Sequence, residues 1–349
     1  MKNKTYFKIS IIYFIAIALI ATLFVLGYFG IIENDYLSSF LIQVVVMFAI
    51  PMLAYTLLVS KNFKKTFADT GFKKISGKMF WITILIGLVL YFLNCYVADI
   101  FAAITSLFGY EKITTPTVVK LDYAFLLKEL LLSCVLPGFC EEFLHRGIML
   151  FAGKKTRNPR YCLLISSLLF GLMHLNINQF FYAAILGCLI GYVGFVADSI
   201  FPCMIIHFMN NFLGNYIYYG AKLKWTLPVT ISNITNFIYA HPVRLLVIMF
   251  LSIPLLLYVY KKLINLMQKE KAKTTLKNIV KELSMTNISI SEAQEKINMV
   301  NRIIQQKQLN TLIEYKANNK PKFYEKIFII SSVILGALIT ISSFIWGIL

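Results

Sequence analysis

The chain has 349 residues, 34 of them Lys or Arg against 16 Asp or Glu, a formal net charge of +18. Yet 58% of the residues are hydrophobic, only 14% are charged, and the mean hydropathy is +0.72. This excludes an ordinary soluble domain, which is about a quarter charged, and a disordered chain, which lacks apolar material to bury. It also argues against a nucleic-acid partner as the source of the basic charge. What remains is an all-α, polytopic transmembrane helix bundle.

A helix needs roughly 20 apolar residues to cross the hydrocarbon core. Nine stretches qualify in chain order: 9–31, 37–60, 79–101, 125–152, 161–177, 179–197, 199–219, 243–260 and 327–348. The expected bundle therefore has about eight or nine spans. The first stretch is too long for a signal-peptide core and is followed by no small-x-small cleavage site, so it is expected to stay as a span. The fifth to seventh are short and closely joined, which predicts a tilted or re-entrant element among them. The expected organisation is N-terminal spans over 1–110, an intramembrane core over 120–220, a span over 243–260, a basic helical segment over 261–326 and a last span over 327–348.

The basic residues fall unevenly between these spans. Lys2, Lys4 and Lys8 precede the first, six lysines lie between 61 and 78, four Lys or Arg lie between 154 and 160, and fourteen lie in 261–326. If the spans alternate, all four segments share one side, a bias that predicts a cytosolic N-terminus. The segment 261–326 has helical apolar spacing (Ile297, Val300, Ile303, Ile304), and Ser289 with Glu292 fits a capping box. It is expected to be a cytosolic helical hairpin, resting on anionic headgroups. Cys95, Cys134, Cys140, Cys162, Cys188 and Cys203 lie in apolar stretches without a C-x-x-C pair, so packing is expected rather than disulfides or zinc.

Charges inside a span are costly, about 2.5–3.5 kcal/mol each at the centre, so their positions carry information. The fourth span contains Pro137, Gly138, Cys140, Glu141, Glu142, His145 and Arg146; the fifth Phe170 and His174; the seventh His207, Asn210 and Asn211. Spans one, two, eight and nine are expected to hold nothing comparable. Glu142 and Arg146 are four residues apart and can pair on one face. His207 and Asn211 share a face as well, with Asn210 turned about 100° away. Counted from one membrane side at 1.5 Å per residue, Glu141, His174, His207 and Asn211 all lie about 12–20 Å in. Polar packing between helices predicts no such agreement, whereas a wet cavity does. Pro137 and Gly138 are expected to kink the fourth span beside it.

This set of side chains can hydrolyse an amide. A glutamate withdrawn from water works as a general base near neutral pH, so Glu141 with His174 can deprotonate a water. His207 and Asn211 can donate hydrogen bonds to the developing oxyanion. Arg146 would hold Glu142 ionised. A second route is a divalent metal such as zinc held by Glu141, His174 and His207 with an open position for water, although H-E-x-x-H is missing. Cys140 adjoins Glu141 but points to another face. His145 is expected to face headgroups or to stand behind the site, His241 to be solvated in an outer loop, and Phe170 to wedge behind His174.

The order Glu-Glu-x-x-x-Arg (141–146), Phe-x-x-x-His (170–174) and His-x-x-x-Asn (207–211) on neighbouring spans resembles the CPBP intramembrane proteases, also called the Abi or CAAX prenyl protease family. These include the type II CAAX prenyl endopeptidases. The resemblance covers roughly residues 120–220 and implies a glutamic-type intramembrane endopeptidase without a cofactor. It implies catalytic Glu141, His174, His207 and Asn211, with Glu142 and Arg146 in support. The segment 261–326 and the last span do not map onto the family pattern. The implied partners are the bilayer and a peptide or membrane-protein substrate, cleaved within or near the cytosolic leaflet. A non-catalytic bacteriocin-immunity or peptide-binding protein is the alternative of a different class. An ion or proton transporter is the third reading, and the lack of paired broken helices counts against it. The heavy Lys, Ile and Asn usage points to a bacterial plasma membrane and away from a prenylated substrate.

Overall fold

Polar punctuation between apolar runs divides this chain into helices. In the computed structural model, which describes residues 5–32, 34–110, 121–285 and 323–346 with a few positions between 291 and 298, every regular element is helical. They are α1 (Thr5–Tyr28), α2 (Tyr36–Ser60), α3 (Phe63–Asp69), α4 (Gly77–Leu107) and α5 (Tyr123–Lys155). There follow α6 (Pro159–Leu172), α7 (Ile177–Ala197), α8 (Phe201–Lys222), α9 (Thr226–Tyr239), α10 (Pro242–Met285) and α11 (Phe323–Trp346). The starts follow from local chemistry: the side chains of Ser76, Asp122, Asn158 and Asn176 accept from the first free N–H groups of α4, α5, α6 and α7.

Among the described residues seven helices are long and apolar enough to cross a membrane: α1, α2, α4, α5, α7, α10 and α11. The chain is thus a multi-pass integral membrane protein. Two of the nine expected stretches differ. The expected span 161–177 is helical only to Leu172, so α6 has 14 residues and is about 21 Å long. Stretch 199–219 forms the 22-residue α8, but its polar side chains keep it out of the seven. Residues 226–239, expected to be loop, form α9.

α10 corrects a second expectation. It runs unbroken for 44 residues, about 66 Å. Its continuation past residue 260 is not a separate hairpin arm, because Leu263, Ile264 and Met267 are buried against α4 and α7. The proposed capping Ser289 and the apolar positions 297, 300, 303 and 304 lie outside the described residues. All six cysteines are free thiols.

Two cores meet across α7. One joins α1, α2, α5 and α6 through Tyr6, Tyr13, Tyr55, Phe143, Leu150 and Leu169. The other joins α4, α7, α8 and α10 through Ile86, Leu90, Ile190 and Ile206. Large apolar side chains such as Phe250, Leu246 and Trp81 are exposed outside these cores, as a lipid-facing surface requires. The α6–α7 hairpin is drawn tight by glycine. A methyl group on Gly171 would lie 2.6 Å from the Phe180 carbonyl oxygen, and one on Gly187 would lie 3.0 Å from the Arg146 guanidinium. Small residues of this kind let membrane helices approach closely.

The basic segments gather at one end. Asp198, the left-handed cap of α7, pairs with Lys73 at 2.5 Å, Lys154 at 3.3 Å and Lys271 at 3.7 Å. Lys155 pairs with Asp69 at 2.5 Å, and Arg157 pairs with the buried Glu325 at the start of α11. Tyr6 packs on Tyr161, and the Lys8 ammonium donates to the Leu58 carbonyl. The start of α1 and the turns after α2, α5, α7 and the apolar part of α10 therefore share an end.

Burial alone would raise the Asp198 carboxyl, but the Lys73 hydrogen bond and the charges of Lys154, Lys73 and Lys271 more than offset it and hold it below its ordinary value. A carboxylate so depressed stabilises the folded state above its unfolded value of about 3.9, and this is lost as pH falls through the folded value. Asp198→Asn is expected to lower the melting temperature of detergent-solubilised protein at pH 7 by an amount corresponding to about 1 kcal/mol. The difference from wild type should shrink as pH falls through the depressed folded value of the Asp198 carboxyl and vanish once that carboxyl is protonated. Gly171→Ala meets a backbone carbonyl rather than a flexible side chain, and is expected to cost about 1–3 kcal/mol in the same melting assay.

Candidate active site

The site is built where α5, α6, α7 and α8 converge, and it starts from one buried ion pair. Glu142 and Arg146, both fully buried, sit one turn apart on α5 with Oε1 2.7 Å from the guanidinium. Charges this deep persist only when paired and hydrogen-bonded. The second guanidinium arm donates to the Gly187 carbonyl of α7 at 2.9 Å, and the Arg146 plane lies 4.4 Å over the ring of Phe170 on α6. Glu142 Oε1 also accepts from His207 Nδ1 of α8 at 2.8 Å. One pair thus reaches all four helices.

Phe170 is the hub of the imidazoles. Its ring centroid is 4.9 Å from His145, 5.3 Å from His174 and 5.5 Å from His207. His145 does not face headgroups: it is fully buried, with Nδ1 2.8 Å from the Tyr13 hydroxyl of α1. His174 is not on a helix. It stands in the turn between α6 and α7, where its N–H donates to the Gly171 carbonyl and the next residue, Leu175, is left-handed at φ +51°. A bulky residue in that region is strained by about 1–2 kcal/mol.

A cavity of about 510 Å³ has Glu141 and His174 among its lining residues. Glu141 is 6% exposed, its Oε1 accepts from Gln43 Nε2 of α2 at 2.7 Å, and its Oε2 is 3.9 Å from His207 Nε2. His207 and Asn211 do not line the cavity as their shared face predicts. His207 stands between the two glutamates, and Asn211 Nδ2 donates to the Ser133 carbonyl at 2.9 Å. Pro137 and Gly138 also act differently from a simple kink. The Leu136 N–H reaches back five residues to the Leu131 carbonyl, a wide turn common at functional sites. Gly138 is the point of closest approach to α8, where a methyl group would lie 3.2 Å from the Phe208 nitrogen.

Glu142 being ionised against Arg146 can only accept, so the proton between it and His207 sits on Nδ1. That leaves Nε2 facing Glu141. Among the described residues no three His, Cys, Asp or Glu side chains converge as metal ligands. Cys140 is buried in the core around Phe143 and does not line the cavity.

Two polar partners, Gln43 and Ser133, were not singled out by sequence. Gln43, 8% exposed, corrects the expectation that span two holds no polar residue of interest; an amide among Leu41, Ile42 and Val44 was the available signal. Asn210, though turned aside, donates to Asn211 Oδ1 at 3.2 Å and accepts from Asn94 of α4 at 3.1 Å. Ser133 contributes through its backbone, which sequence does not reveal.

Removing one partner of a buried pair strands the other charge, at a cost of about 3–5 kcal/mol. Arg146→Ala is expected to lose that much in a melting assay. Arg146→Lys should not restore it, since a lysine cannot reproduce the forked contacts to Glu142 and Gly187 or the stack on Phe170.

No curated protein and no solved structure matches the chain. Residues 123–213, which carry α5 to the middle of α8 and hold Glu141, Glu142, Arg146, Phe170, His174, His207 and Asn211, match the family model described as type II CAAX prenyl endopeptidase Rce1-like. Over residues 123–213 the chain is therefore similar to the Rce1-like family of type II CAAX prenyl endopeptidases.

Proposed function

We propose that this protein is an intramembrane endopeptidase of the glutamic type, acting on a peptide or membrane protein, with its basic end in the cytosol of a bacterial cell. The observation that carries the reading is the separation of two adjacent glutamates. Glu142 is consumed by Arg146 and His207, whereas Glu141 is held by a neutral amide at the wall of a cavity that His174 shares.

In this mechanism a water lies between Glu141 and His174. Glu141 takes its proton while the oxygen attacks the peptide carbonyl carbon, and His174 accepts the water's second hydrogen bond and fixes its direction. The carbonyl oxygen becomes an oxyanion. Asn211 has a second N–H beyond the one given to Ser133, and His207 offers Nε2–H when its ring carries both protons. These are the proposed oxyanion donors, closing on the substrate as it binds. The C–N bond then breaks as Glu141 returns its proton to the departing amine. Glu142 and Arg146 position His207 and touch no substrate.

Incubating membrane peptides with purified protein tests this reading. Glu141→Ala is expected to lower the cleavage rate by about 10²–10⁴-fold, and Asn211→Ala by about 10²–10³-fold. Full activity should survive a strong chelator; activity lost there and restored by zinc would replace the glutamic route with the metal one. Equal cleavage by wild type and Glu141→Ala would overturn the role of Glu141.

A further inference from the structure

We infer that the reaction cavity opens at the end of the molecule opposite the basic one, so that substrate enters from the non-cytosolic face. On the endopeptidase reading, the substrate class is then a peptide segment presented from that face.

Helix direction fixes the geometry. α1 begins at the basic end, where Tyr6 meets Tyr161, so Gly27 and Ile32 lie at the far end. α2 runs the other way, from Tyr36, beneath Lys128 at the start of α5, to Ser60, which bonds Thr66 beside the basic turn. α7 ends at Asp198 among the lysines, so its first turn, with Gln179, is also at the far end. The cavity wall follows these three elements from Glu141, His174 and Gln43 past Ile20, Leu23 and Ile42 to Gly27, Ile32 and Gln179. Gly27 and Gln179 are exposed, whereas Glu141 is 6% exposed.

Toward the basic end the route is closed. Tyr13, Phe143, Leu144, Ile148 and Met149 are all fully buried there. Phe143 packs on Phe48 at 5.0 Å and on Phe72 at 6.2 Å. Apolar side chains such as Ile20, Leu23, Phe24 and Ile42 share the wall with Ser38, Gln43, Gln179, Glu141 and His174, so the cavity offers a peptide both apolar contact and hydrogen-bonding groups. Its volume of about 510 Å³ suits a few side chains. The short basic segments supply the orientation, since they are the ones held on the cytosolic side.

Thiol labelling tests the entrance without relying on hydrolysis. Ser38→Cys and Gln179→Cys place thiols at the cavity, and Lys64→Cys places one at the basic end; each is expressed as the full chain with the native cysteines changed to serine or alanine. With a membrane-impermeant maleimide on intact cells, Ser38→Cys and Gln179→Cys are expected to label, and Lys64→Cys only after permeabilisation. The reverse pattern, or no labelling of either cavity position from any side, overturns the inference. Comparing peptides from cells carrying wild type and Glu141→Ala separates the two claims. Correct labelling with no peptide difference leaves the entrance standing and sinks the endopeptidase reading. Labelling from the cytosolic side with a peptide difference does the opposite.

Discussion

The arrangement depends on the burial of the Glu142–Arg146 pair. Two charges out of water are held by the hydrogen bonds that surround them, and here most of these come from other helices, while Glu142 Oε2 and Arg146 Nε have no partner among the described residues. Arg146 spends one arm on Glu142, the other on the Gly187 carbonyl, and its face on Phe170. Glu142 spends the same oxygen on His207. The electrostatic cost of one residue is thus met by α6, α7 and α8 together, which makes their mutual positions part of the requirement for burying the charge. In a bilayer there is no hydrophobic drive between helices to do this, so polar contacts and close packing must.

Two neighbours in sequence acquire opposite chemistry from this constraint. Successive helix residues point about 100° apart. With Glu142 aimed inward at the pair, Glu141 is turned toward α2 and the cavity. Its companion there, Gln43, is neutral and donates one N–H, which orients a carboxylate without neutralising it. A lysine in that place would convert the reactive glutamate into another structural ion pair.

Much of the core was legible in sequence because charge in a membrane is rare enough to stand out. The pairing of Glu142 with Arg146, the convergence of three separate motifs and the wedge role of Phe170 all follow from spacing and cost. The rest was hidden for physical reasons. An amide such as Gln43 barely lowers the hydropathy of an apolar run. A helix that stops at Leu172 looks no different from one that continues, since the turn residues Met173 to Leu175 are themselves mostly apolar. Sequence leaves His145 open between headgroups and a place behind the site, and the tyrosine 132 residues earlier that decides for the latter is too distant in the chain to be read from spacing. The boundary assigned at residue 260 followed the charge of Lys261 and Lys262, which lie on the exposed side of a helix whose other side is still core.

The left-handed Leu175 has a consequence for how His174 is held. Among the described residues the His174 ring has no hydrogen-bond partner, only the Phe170 edge and the turn that carries it. Its orientation is therefore purchased in backbone entropy. A glycine at 175 would adopt the same conformation without strain, but would leave the turn free to visit others. Leucine, confined by its own buried side chain, leaves the imidazole few directions in which to point while keeping both its nitrogens uncommitted.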